Sequence, residues 1–116
     1  MENLKSKSLE IVISRVGSKT SVAWIGQSDE VNPGLILNPY LDSLVEKLKG
    51  GEVVVEFGKL GYMNSSTVIP IIRFIKSLNK SGIKTTVTYD KKSKWQASSF
   101  KMLESLSLML THISIE

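Results

Sequence analysis

Apolar and polar residues alternate over positions 9–16 and again over 20–25, with Gly17-Ser18-Lys19 between the two runs. β-Branched runs broken by a short Gly-containing turn predict a hairpin. Ile11 and Ile13 share one face of the first strand and Val12 and Val16 the other; in the second, Val22 and Trp24 oppose Ala23 and Ile25. Residues 26–37 mix Gly, Ser, Asp, Asn and Pro and read as a connection. Asn38-Pro39 then has the grammar of a helix start, a cap followed by proline at the first helical position. Leu41, Leu44, Val45 and Leu48 recur at helical spacing until Gly50-Gly51 stops the element, and Asp42, Glu46, Lys47 and Lys49 fall on its solvated face.

The run Val53–Phe57 is apolar at nearly every position, which predicts a central strand covered on both faces. After a short turn, Val68, Ile71, Ile72, Ile75 and Leu78 mark the buried stripe of a second helix, closed by Asn79 to Gly82. Pro70 removes an early backbone bond and, with Ser66 as the cap, tightens or kinks the first turn. Ile83–Tyr89 is the next strand, with Ile83, Thr85, Val87 and Tyr89 on one face. Ser93 with Gln96 three residues on resembles a capping box. It opens a third helix through Phe100, Leu103, Leu106 and Leu110, and His112 to Glu116 forms a short last strand. Strands alternating with helices after a hairpin predict an α/β fold with a mixed, mainly parallel β-sheet and three helices.

The chemistry gathers where the second helix begins. Asn64, Ser65 and Ser66 are three candidate N-caps just beyond the C-terminal end of the central strand. Unpaired N–H groups and the positive end of the helix dipole meet there, so a phosphate on Ser65 or Ser66 would be favoured by about 0.3–1 kcal/mol. From spacing alone the plain reading is an ordinary cap.

Strand, short turn, Met63-Asn64-Ser65-Ser66-Thr67, apolar helix resembles the Met-Asp-Ser-Ser-Gly signature of STAS domains, the family of anti-sigma factor antagonists and related bacterial regulators. The element order resembles that family across nearly the whole length. The resemblance implies the STAS fold and signal transduction by protein–protein contact, with phosphorylation at Ser66, the second serine of the pair; Ser65 and Thr67 are the alternatives. It implies a partner-binding surface at Met63, Asn64, Ser65, Ser66 and Thr67. The implied partner is an anti-sigma protein of the serine-kinase type, with a phosphatase and a second copy of the chain as further candidates. Two positions depart from the pattern: Asn64 keeps the capping ability of Asp without its charge, and Thr67 replaces a glycine, adding a Cβ where a partner backbone would approach. Family members usually carry a further helix after the last strand, which these residues do not include. Uncovered Met102, Met109 and Leu110, otherwise core-like, would then form an apolar patch suited to a homodimer or to partner docking.

The length of 116 residues fits one domain, 1–116. No apolar run approaches the roughly 20 residues that span a bilayer, so no membrane insertion is expected. The polar start Met1–Ser8 has no signal-type core behind it, which makes the cytoplasm the default compartment. There is no cysteine, hence no thiolate nucleophile and no cysteine metal site. His112 is the sole histidine and lies near the end, so no Ser-His-acid arrangement can be built. Carboxylates are not clustered for metal binding, and no Gly-rich phosphate loop is present. No catalytic residue, metal or cofactor is expected. The net charge of +4 rests mostly on lysines. Lys91, Lys92, Lys94 and Lys101 would serve a nucleic acid or an anionic surface, but the scarcity of arginine makes that the weakest reading, behind a STAS adaptor or transport-complex subunit without phosphorylation. Trp24 and Trp95 are read as core.

Overall fold

A computed structural model describes residues 1–116. The element order is β1 (Leu4–Ser6), β2 (Leu9–Val16), β3 (Lys19–Ser28), α1 (Gly34–Leu48), β4 (Glu52–Glu56), β5 (Leu60–Met63), α2 (Ser65–Lys80), β6 (Lys84–Thr88), α3 (Lys94–Ser107) and β7 (Ile113–Ile115). The sheet runs β1-β2-β3-β4-β6-β7, with β5 pairing the far end of β3. β1, β2 and β3 pair antiparallel and all later pairs are parallel. This is the mixed, mainly parallel sheet with an opening hairpin and three helices that the sequence predicts.

From β3 onward the strand order steps in one direction only. Right-handed crossovers therefore return every helix to the same face of the sheet. The side chains agree. Ile11, Val22, Trp24, Val53, Val55, Val87 and Ile113 are buried, whereas their alternates Val12, Ala23, Val54 and Thr86 are only half-buried. The expectation that the central strand is covered on both faces is thus corrected. Val54 has neighbouring strands beside it and no helix above it.

Helix α1 begins at Gly34, not at Asn38, with Pro33 in the cap position and no side-chain capping bond; Pro39 lies inside it. The apolar spacing extends one turn further back than Asn38-Pro39 suggests, because Leu37 joins Leu41, Leu44, Val45 and Leu48 in the core. A buried face that continues outweighs the backbone bond that Pro39 forfeits. Two short strands escape the hydrophobic pattern. β1 holds its place by backbone pairing through the left-handed Lys7 (φ 50°), and Asn3 Oδ1 accepts from Ile13 N at 2.8 Å. β5 exists because β3 outlasts β4: at Gly26 (φ 94°) the register shifts, and β3 goes on to pair with Leu60, Tyr62 and Met63. A Cβ at Gly26 would collide with the Ser8 carbonyl, so only glycine allows this crossing.

Helix α3 starts at Ser93, whose hydroxyl accepts from Gln96 N. The return bond of a capping box is absent. Gln96 is buried and instead donates Nε2 to the carbonyls of Phe57 and Leu60, both at 2.8 Å, while Oε1 accepts from Asp90 N at 2.7 Å. One side chain so fastens the β4–β5 turn to the head of α3. Aromatic packing adds to it: ring centroids of Trp24–Phe57 and Phe57–Phe100 lie 5.3 and 4.7 Å apart. Trp24 is fully buried and Trp95 packs partly buried against the core. Met102 and Met109 are exposed, not core, and Leu110 lies beyond the end of α3.

Candidate functional site

Strand β5 ends at Met63 and the chain turns directly into α2. Asn64 takes extended geometry (φ −79°, ψ 167°) and is the cap. Its Oδ1 accepts from Thr67 N at 3.1 Å and from Thr67 Oγ1 at 2.7 Å, while its Nδ2 donates to the Glu30 carbonyl at 2.7 Å. The donor to Glu30 must be the amide nitrogen, which sets the orientation of the group. Thr67 has one hydroxyl proton and spends it on Asn64. Ser28 Oγ, 2.7 Å away and buried, is then the donor to Thr67 Oγ1. The Asn64 backbone N–H also reaches the Ser28 carbonyl at 2.9 Å. The first turn of α2 is tied by these bonds to the end of β3 and the connection after it.

Ser65 and Ser66 occupy the first two helical positions, and both are exposed. Their N–H groups lie in the turn where no intrahelical carbonyl can receive them, and no acidic side chain stands in the first turn. Pro70 sits inside α2 and has no N–H for the Ser66 carbonyl four residues back. The cap is Asn64 and not Ser66, so Pro70 stands two positions deeper in the helix than a cap at Ser66 would place it, while the bond lost is the same.

Of the residues the sequence singles out, Ser65 and Ser66 stand at the surface and Asn64 is half-buried. Met63 (8% exposed) and Thr67 (0%) are buried. Met63 and Thr67 lie beneath the site, and the Thr67 hydroxyl is turned inward onto Asn64 and Ser28. The Cβ that Thr67 adds relative to a glycine points into the protein, so it does not meet an approaching partner.

A shallow groove of about 290 Å³ separates the starts of α1 and α2, with Val31, Asn32, Pro33, Gly34 and Asn38 on one wall and Ser66, Ile69 and Pro70 on the other. Of these, Val31 and Ile69 are 93% and 73% exposed; outside the groove lining, Leu35 is 74% exposed and Tyr62 half-exposed. Sequence reasoning passed over these residues. The one available signal is that Ile69 falls off the buried stripe of α2. Beyond the groove, Arg73 is paired with Asp42 at 2.6 Å. The lysines Lys91, Lys92 and Lys94 lie exposed around the head of α3 and Lys101 lies exposed midway along it, Lys91 standing 5.9 Å over the Tyr89 ring. No cluster of three potential metal ligands occurs, and no helix is long and apolar enough to cross a membrane.

No protein-family model matches the sequence, and no curated protein matches it. Solved structures do match in fold, and the fold they share with this chain is the STAS fold. The chain is similar to an anti-sigma factor antagonist from Mycobacterium paratuberculosis, with a TM-score of 0.65 and 13% identity over 89% of this chain and 86% of that one. It is also similar to the anti-sigma factor antagonist SpoIIAA in its unphosphorylated form, with a TM-score of 0.58 and 14% identity over 91% and 87% of the two chains. At these identities the likeness is one of fold.

Proposed function

We propose that the chain is a STAS-type bacterial regulator, a single non-enzymatic cytoplasmic domain. It binds an anti-sigma protein of the serine-kinase type and is switched by phosphorylation of Ser66. The observation that carries this is the exposed Ser66 on a rigidly capped helix start, in a fold of the anti-sigma factor antagonist type. A phosphate there carries a charge of about −1.5 to −2. The free N–H groups and the dipole of α2 make it tolerable in the isolated chain. Burying it against a partner strips its water, which is costly for a doubly charged group without a matching counter-charge. Release follows without any change of fold.

Incubation with such a kinase and ATP, followed by mass spectrometry, is expected to place one phosphate on Ser66 and none on Ser66→Ala. Ser66→Ala should bind the kinase as the unmodified chain does, and Ser66→Asp about tenfold or more weakly. Equal binding by both variants would overturn the switch and leave the adaptor reading.

A further inference from the structure

We infer that the free edge of β7 pairs with the same edge of a second copy of this chain, antiparallel about a twofold axis at Ser114. β7 closes one side of the sheet and pairs only with β6. The Thr85 N–H donates to the His112 carbonyl and the Glu116 N–H to the Val87 carbonyl, both at 2.9 Å, so residues 112, 114 and 116 turn their backbone groups inward. Those of Ile113 and Ile115 face outward, and of them only Ile113 N is occupied, by a long 3.4 Å bond to the Leu110 carbonyl. Around Ser114 the sequence His112-Ile-Ser-Ile-Glu116 is self-complementary. With Ser114 opposite its own copy, each Ile113 meets an Ile115 as a hydrogen-bonded pair, and the outward groups are used in full. Each His112 then stands opposite a Glu116, an imidazole that donates in either protonation state against a carboxylate. No other register does both. Ile115 lies in the row of Val22, Val55 and Val87, which are fully buried, yet is itself half-buried because its outer side lacks a neighbour. Ile113 of the second copy fills that place. The other edge of the sheet is guarded differently: β1 carries Lys5, whereas β7 has no lysine, proline or bulge to repel a strand.

Sedimentation equilibrium of the full chain up to about 2 mM tests this, with a dissociation constant of about 0.1–1 mM expected for so small a contact. Ser114→Lys sets two ammonium groups against each other at the axis and should weaken the dimer about tenfold or more. Ser114 is exposed, and circular dichroism would verify that the variant folds. Glu116→Lys should weaken the dimer about threefold, and adding His112→Glu should restore it. The chain has no cysteine, so Ser114→Cys supplies a single thiol at the axis. Opposed Cα atoms of a non-hydrogen-bonded pair stand about 4.5 Å apart, within reach of a disulfide. Mild oxidation should therefore link Ser114→Cys into a dimer far faster than Ser14→Cys, an exposed position on the inner strand β2. A chain that stays monomeric throughout would overturn the inference. So would a dimer that Ser114→Lys and Glu116→Lys leave unchanged, or equal cross-linking of the two cysteine variants.

Discussion

Helices α1 and α2 face each other across the groove, and their starts are built differently. Helix α2 is fastened by side chains: Asn64 makes three hydrogen bonds, and Thr67 links it to Ser28 beneath. Helix α1 has no side-chain cap; its Pro33 carbonyl accepts from Ile36 N and Leu37 N at 3.2 and 2.8 Å, and Leu37 anchors it in the core. Further along, the Tyr40 hydroxyl donates to the Glu2 carbonyl at 2.7 Å. One start is held by directional bonds and the other by burial. The exposed serines sit on the first, where a surface group can be presented without the backbone beneath it moving. Two exposed aliphatic residues, Val31 and Leu35, flank the second.

Breaking the polar lattice should have the largest effect. Asn64→Ala removes a cap and two further bonds and is expected to cost about 2–3 kcal/mol in denaturant unfolding, whereas Asn32→Ala, exposed before α1, should cost under about 0.5 kcal/mol. Equal losses at the two positions would erase the contrast. Thr67→Val keeps the shape but leaves the buried Ser28 hydroxyl without its acceptor, for an expected loss of about 1–2 kcal/mol. A neutral result would show that the threonine is held by packing alone.

The smallest effect lies on α1. Burial, with the Glu2 carboxylate adding to it, pushes the Tyr40 hydroxyl up to about 12. The folded chain thus keeps this phenol protonated where the unfolded chain has begun to ionise. Its contribution is complete below the ordinary tyrosine value of 10.0 and is lost as pH rises toward 12. Stability should fall over that window in the wild type and less steeply in Tyr40→Phe. Parallel profiles for the two would remove Tyr40 from the account of α1.

What was legible in the sequence was local. The hairpin, the stripes Leu41–Leu48 and Ile71–Leu78, the Ser93 cap and the serine pair at a helix start are written in periods and caps spanning a few residues. A mixed, mainly parallel sheet with three helices followed from their order, since right-handed crossovers leave few other arrangements, and the STAS fold came from the resemblance of the serine motif. The unread parts depend on residues far apart in the chain. Gln96 looked like half of a capping box because its targets, Phe57 and Leu60, lie 39 and 36 positions away. β5 has no pattern of its own and exists because Gly26 lets β3 run on beside it. Thr67 resembled a surface substitution until Ser28, 39 residues earlier, was found against it. The sequence by itself determined which segments become strands and helices, because that choice is made by side-chain period and local hydrogen bonding. Only the tertiary structure decided which residues of the serine motif face outward and which aliphatic residues gather beside them, because those outcomes are set by contacts between distant segments.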